Sequence, residues 1–183
     1  MAILTISCSA NGCAGDTQPT FGNSATYFQF GTWSGYGEKV WIPFVVNLPK
    51  DQIIVSATYK LISYDNSSGT TLKVKVGCEA ADNPTQPTTW SGLDGRTMAA
   101  AYTQDDNVAA WTTGVEYTWN VTTTVQATLN RAGWVSGNKM GMMIHNNGST
   151  GGNRKLATLN HATYTEPILE IVYIDFIPQI IVS

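Results

Sequence analysis

The sequence predicts an all-β fold, a sandwich of sheets with one short helix. Apolar and polar residues alternate through most of the chain, and the apolar positions are rich in β-branched and aromatic side chains. Clusters of Gly, Pro, Asn, Asp and Ser separate these runs at intervals typical of a β-sandwich. With 183 residues and no internal repeat or linker, the chain predicts a single domain over residues 1–183.

The alternation predicts nine strands, each five to eleven residues long and bounded by turn residues. They fall at residues 3–7, 26–30, 39–46, 54–64, 71–77, 116–120, 139–145, 155–160 and 168–174. The stretches "SYDNSSGTT" and "HNNGSTGGNR" predict hairpin loops between neighbouring runs, and "ADNPTQPTTWSGLDG" predicts a longer loop.

One segment, "NVTTTVQATLNRAGW", departs from the period of two. Val121, Val125 and Leu129 recur every four residues, which places them on one stripe of a short helix with Asn120 or Thr122 as its N-cap. A helix with a single apolar stripe predicts packing against the open end of a sandwich rather than chemistry.

Charge excludes one class of function. Only 13% of the residues are charged, the net charge is −3, and the ten Lys and Arg residues are scattered singly. Because nucleic-acid binding needs clustered cations to replace counterions, we expect no nucleic-acid partner. We also expect no membrane association, since no apolar run approaches the length that crosses a bilayer.

The N-terminal stretch "MAILTISCSANGCAG" has a short apolar run with no basic residue before it, which predicts a strand rather than an export signal. Cys8, Cys13 and Cys78 form an odd set. A Cys8–Cys13 or a Cys13–Cys78 disulfide is one interpretation, and the interpretation we favour is partly buried free thiols.

The C-terminal stretch "YIDFIPQIIVS" stays apolar where a chain end is usually polar. One interpretation is a final edge strand. The other is an arm, residues 175–183, that docks on a neighbouring subunit through Phe176, Ile177, Ile180 and Ile181. Residues 1–25 are a second candidate docking arm.

No pattern predicts catalysis, because the chain has no triad, phosphate-binding loop or zinc signature. Glu170 alternates with apolar residues and is predicted to be a paired structural carboxylate, while His145 and His161 are predicted to be hydrogen-bonded loop histidines. We expect no cofactor. A structural calcium ion stays open, since "SYDNSSG", "EAADN" and "TQDDN" could supply oxygen ligands, although such turns also form for local backbone reasons.

The aromatic residues are the remaining clue. Trp41 and Trp119 lie within predicted strands, and we expect them in the core. The residues predicted to be exposed contacts lie in turns or polar loops, where they would bind a glycan or another protein: Trp33, Tyr36, Trp90 and Trp111.

Five stretches resemble the β-sandwich domains of the DNRLRE and disaggregatase-related type, which are relatives of carbohydrate-binding modules. In order they are "VWIPFVVNLPKDQIIVSATYKLISY", "TTW" at residues 88–90, "YTWNVTTTVQATLN", "NKMGMMIHNN" and "EPILEIVY". The resemblance implies an antiparallel jelly roll of about eight to ten strands. Its members serve as modules beside enzymes, as adhesive surface domains and as parts of larger assemblies, so it implies no single function.

Two functional hypotheses follow. The first is a non-enzymatic assembly protein of a bacteriophage virion, a decoration or cement subunit that binds neighbouring subunits as a homo-oligomer or within the capsid lattice; low charge, apolar termini and the lack of a catalytic motif favour it. The alternative is an extracellular or cell-surface carbohydrate-binding module that uses the loop aromatics.

Overall fold

The structure is a computed structural model that describes residues 1–16, 21–33, 35–67 and 70–174. These residues form twelve strands and two helices. In chain order the elements are β1 Ala2–Ser7, β2 Cys13–Asp16, β3 Phe21–Gly22, β4 Tyr27–Trp33, β5 Tyr36–Val45, β6 Ile54–Ile62, β7 Leu72–Cys78, α1 Trp90–Asp94, β8 Thr103–Val108, β9 Glu116–Asn120, α2 Thr122–Leu129, β10 Lys139–Asn146, β11 Asn153–Ala157 and β12 Ile168–Tyr173.

The strands form two antiparallel sheets. One has four strands in the order β1-β12-β6-β9, and the other has eight, with β11-β4-β5-β10-β7-β8 as its main path and β2 and β3 attached at β5. The four-stranded order together with β5-β10-β7-β8 is the double Greek key of a jelly roll. The predicted fold is therefore confirmed, with more strands and one more helix in the described residues than the sequence predicts.

The core lies between the two sheets because each strand alternates its side chains. Val40, Ile42 and Phe44 of β5 point into it and are essentially inaccessible, as are Leu169 and Ile171 of β12 from the other sheet. Trp119 is also part of this cluster, as the sequence predicts. Trp41 is fully buried too, but it belongs to a smaller cluster with Cys13, Leu93 and Met143.

Helix α2 has the predicted position and packing role. Val125 and Leu129 are buried, and the N-cap is Val121 rather than Asn120 or Thr122. The helix joins the sheets, since the Thr122 hydroxyl accepts a hydrogen bond from the Ala57 amide of β6 and the Thr124 hydroxyl accepts one from the Cys78 amide of β7, each at 2.8 Å. Neither helix of the described residues is long and apolar enough to cross a membrane.

The structure describes most of the N-terminal candidate arm but not the C-terminal one. The structure places residues 2–7 in the four-stranded sheet as β1 and residues 13–16 in the other sheet as β2. The predicted arm residues Phe176, Ile177, Ile180 and Ile181 lie outside the described residues.

The prediction of free thiols is confirmed, since Cys8, Cys13 and Cys78 are all unpaired and buried. Burial raises the pKa of Cys8 and of Cys13 to about 12 and the pKa of Cys78 to about 11.

Candidate functional site: a cleft at Trp33

The β4–β5 hairpin carries the most exposed tryptophan of the described chain. Trp33 ends β4 and is directly opposite Tyr36, the first residue of β5. Gly35 lies in the two-residue connection with φ of +84°, a conformation that glycine adopts without strain. Trp33 is 55% exposed, so the predicted exposure is confirmed, whereas Tyr36 is only partly exposed.

Two loops from distant parts of the sequence complete a cleft around Trp33. One follows β6 and the other connects β10 to β11, and together with the hairpin they enclose about 370 Å³. The lining residues are Thr32, Trp33, Gly35, Asp65, Asn66, Ser67, Thr150, Gly151, Gly152, Asn153 and Lys155. We call this the Trp33 cleft.

Two hydrogen bonds from Thr32 hold the β10–β11 loop against the hairpin. The Thr32 amide donates to the Gly152 carbonyl at 2.8 Å, and the Thr32 hydroxyl donates to the Ser149 carbonyl at 3.1 Å. Gly31 has φ of +108°, and a Cβ built there would lie 2.8 Å from the Gly152 oxygen. Glycine at this position therefore lets the loop approach closely enough to form one wall of the cleft.

The loop after β6 is fixed through Trp111 and Thr113. The Ser67 amide donates to the Trp111 carbonyl at 3.0 Å, and the Trp111 amide donates to the Ser67 hydroxyl at 2.7 Å. The Asn66 Oδ1 accepts from the Thr113 amide at 2.9 Å. The side-chain oxygen of Asn66 is therefore already used, whereas its Nδ2 donors take part in neither contact with Thr113.

The charges of the cleft compensate each other. Lys155 Nζ lies 2.8 Å from Asp65 Oδ2 and 5.0 Å from the centre of the Tyr27 ring. The hydrogen bond with Asp65 raises the pKa of Lys155, so the lysine stays cationic beside the carboxylate. The cleft is therefore polar and close to neutral.

A buried arginine fixes the backbone between the lining residues Asn153 and Lys155. Arg154 is completely inaccessible, and its guanidinium donates to the backbone carbonyls of Thr70, Val108, Ala109 and Asn153 at 2.7 to 2.9 Å. Its desolvation lowers the pKa of the guanidinium from its ordinary value. Sequence reasoning missed this residue, because it ends the stretch "HNNGSTGGNR", which predicts a hairpin loop.

Several polar groups of the cleft have unused hydrogen-bonding capacity. Among the described residues, no hydrogen bond involves the side-chain amide of Asn153, the Nδ2 of Asn66 or the hydroxyl of Thr150. Asparagine offers both donors and an acceptor, and threonine offers one of each. The cleft thus combines an exposed indole with groups that can both donate to and accept from a ligand.

The prediction that Trp111 is exposed is wrong. Its side chain is 3% accessible and stacks on Tyr117 with the ring centres 4.5 Å apart, while Phe30 meets it edge-on at 5.3 Å. Polar neighbours along the chain suggested a surface loop, but the side chain fills the core between the sheets. Trp111 therefore belongs to the core and does not line the cleft.

Trp90 lies on a different surface. It is the first residue of α1, whose N-cap Thr89 accepts a hydrogen bond from the Gly92 amide at 3.1 Å. Its ring is partly buried against the smaller cluster, and Lys39 Nζ lies 5.9 Å from the ring centre. The four predicted contact residues therefore do not form one platform, and only Trp33 and Tyr36 are neighbours.

The remaining candidates have structural surroundings. Glu170 is ion-paired with Lys60 at 2.9 Å, as predicted for a structural carboxylate. His161 is a hydrogen-bonded loop histidine, since its Nδ1 accepts from the Tyr164 amide at 2.9 Å. The same prediction is wrong for His145, which lies in strand β10 with its Nε2 buried and without a hydrogen bond from any described residue.

Comparison with known proteins gives no further guide to the site. No family model matches the sequence, and no curated protein is similar to it at a significant level. Within the described ranges, no three side chains of His, Cys, Asp or Glu are grouped closely enough to hold a metal ion.

Proposed function

We propose that the protein is a non-enzymatic binding module that holds a carbohydrate in the Trp33 cleft. The observation that carries the proposal is the 55% exposed indole of Trp33 at the edge of a cleft lined by amides, hydroxyls and a carboxylate. A sugar ring has one apolar face of C–H groups, which stacks on an aromatic ring, and a rim of hydroxyls that both donate and accept.

The polar groups of the cleft match that rim. Asn66 and Asn153 supply amides, Thr150 supplies a hydroxyl, and the Asp65–Lys155 ion pair supplies a fixed acceptor and a fixed donor. Because the charges compensate, a neutral ligand suits the cleft better than an anionic or a cationic one. The volume of about 370 Å³ is near the lower end of the usual range for small-ligand sites, which favours a short segment of an oligosaccharide.

A glycan array with the wild-type protein and Trp33→Ala tests this function. We expect binding to a neutral glycan that weakens at least about fivefold in Trp33→Ala, since loss of an aromatic stacking partner costs about 1–3 kcal/mol. Trp33→Phe should keep most of the affinity, because a phenyl ring still offers an apolar face. Tyr102→Ala removes another exposed aromatic that does not line the cleft and should bind like the wild type.

The proposal fails if no glycan binds, or if Trp33→Ala binds as tightly as Tyr102→Ala. Thermal unfolding of each variant, compared with that of the wild type, controls for loss of the fold.

A second candidate is the assembly role, with virion decoration as its specific form. An apolar patch on the four-stranded sheet supports it: Met1, Ile3, Ile53, Val55 and Ile174 are 39 to 88% exposed. These residues lie on or directly beside adjacent strands of the sheet, since Ile3 is opposite Val172 and the Ile174 amide donates to the Ile53 carbonyl at 3.0 Å. Exposed apolar residues grouped in this way are typical of subunit contacts.

The mostly apolar segment 175–183 follows Ile174 directly in the sequence. If the protein is a coat component, purified particles should contain it at a fixed stoichiometry, and deletion of residues 175–183 should abolish attachment while the domain still folds. Attachment that survives the deletion contradicts a role for this arm.

A further inference from the structure

The edge strand β1 differs from the other strands that end the sheets in the described chain. The four-stranded sheet ends at β1 and β9, and the main path of the larger sheet ends at β11 and β8. The last three all contain charged residues: Glu116 in β9, Arg154 and Lys155 in β11, and Asp105 and Asp106 in β8. Strand β1, with the sequence AILTIS, has no charge, no proline and no glycine. It lacks the features that normally protect an edge from pairing.

The backbone of β1 has hydrogen-bonding groups that its own sheet does not use. The register from Ala2↔Tyr173 to Ser7↔Ile168 continues to Cys8, whose amide donates to the Pro167 carbonyl at 3.1 Å. In an antiparallel pair, every second residue bonds to its neighbour. Because Cys8 bonds toward β12, the amides and carbonyls of Ile3, Thr5 and Ser7 point away from the sheet. The side chains of these three residues are also exposed.

We propose that β1 pairs with β1 of a second copy, antiparallel about a two-fold axis at Thr5. Thr5 would then be opposite Thr5 of the second copy, and Ile3 would be opposite Ser7. The buried faces of both sheets stay on the same side only if exposed residues of β1 are opposite exposed residues of the second copy. The pairing of Ile3, Thr5 and Ser7 with one another satisfies that condition. It would make about six backbone hydrogen bonds and join two four-stranded sheets into one continuous sheet.

The absence of charge on β1 favours a second copy at this edge. Two β1 strands place no like charges opposite each other, whereas two β8 strands would bring four aspartates together and would repel. An identical strand also makes the isologous contact that most homodimers use. This dimer does not depend on the Trp33 cleft, so glycan binding and dimerisation can fail separately.

Sedimentation equilibrium of the wild-type chain and Thr5→Lys tests the proposal. We expect a concentration-dependent dimer whose dissociation constant rises at least about 100-fold in Thr5→Lys, because the two lysines would meet at the axis. Asn107→Lys adds the same charge to the exposed edge of β8 and should dimerise like the wild type. Circular dichroism should show both variants folded.

Thr5→Cys gives a second measurement that does not require a disruptive change. The native cysteines are buried, so mild oxidation should link two copies of this variant through the introduced thiols into a covalent dimer that is absent from the wild type. A wild-type chain that is monomeric at all concentrations overturns the proposal, as does a Thr5→Lys dimer as tight as that of Asn107→Lys. A dimer that does not cross-link in the Thr5→Cys variant overturns the two-fold axis at Thr5.

Discussion

Replacement of Arg154 by Met should destabilise the protein strongly although it removes no apolar contact. The Arg154 side chain is 0% exposed, and its guanidinium donates four hydrogen bonds to backbone carbonyls. A hydrogen bond to a charged group contributes about 1.5–3 kcal/mol, and a buried carbonyl left unsatisfied costs about as much. Relief of the guanidinium desolvation offsets part of this loss. We therefore expect the free energy of unfolding to fall by about 3–5 kcal/mol.

Urea unfolding followed by tryptophan fluorescence measures this change. A fall of about 3 kcal/mol lowers the thermal midpoint of a domain of this size by about 6–12 °C. Lys155→Met is a matched control, because it makes the same kind of substitution one position later, where the side chain is partly exposed and its ion pair with Asp65 contributes about 0–1 kcal/mol. If the two variants lose the same stability, the interpretation of Arg154 as a buried donor that fixes the surrounding backbone carbonyls is wrong.

Two further predictions concern buried titratable groups. Burial, followed by the charge of Lys39, lowers the pKa of His145 to about 4, so the unfolded chain binds a proton between about pH 6.5 and pH 4 that the folded chain does not. The unfolding free energy of the wild type should then fall by about 2 kcal/mol more than that of His145→Asn between pH 7 and pH 4.5, and parallel pH profiles contradict this. Burial raises the pKa values of the Cys8, Cys13 and Cys78 thiols to about 11 or 12, so all three should resist alkylation at pH 8 until urea unfolds the chain. Labelling of any of them in the native protein contradicts this prediction.

Alternation predicted the strands whose two faces differ in polarity. All nine predicted strands are present, with boundaries shifted by a few residues. Strand β8, with the sequence TQDDNV, was missed because it lies at an edge and has almost no apolar side chains. Strands β2 and β3 were missed because they are short and contain glycine, which lowers the β signal.

The candidate site was only partly predictable. Trp33 lies at a hairpin turn, so its exposure followed from local sequence. The other walls of the cleft come from loops about 30 and 120 residues further along the chain, and only the fold brings them to the hairpin. The burial of Trp111 and the carbonyls around Arg154 likewise depend on contacts between distant segments, which local polarity cannot report.

The central claim is that a glycan binds against Trp33, and the indole N–H signals of an isotope-labelled sample test it most directly. The chain has six tryptophans, and the signal missing from the Trp33→Phe spectrum identifies Trp33. Titration with the glycan selected on the array should shift that signal in a saturable way. Trp41, Trp119 and Trp134 should shift little, because their indoles are buried and already donate to Glu79, Asp105 and the Leu48 carbonyl. Saturable binding that leaves the Trp33 signal unmoved contradicts the proposed site.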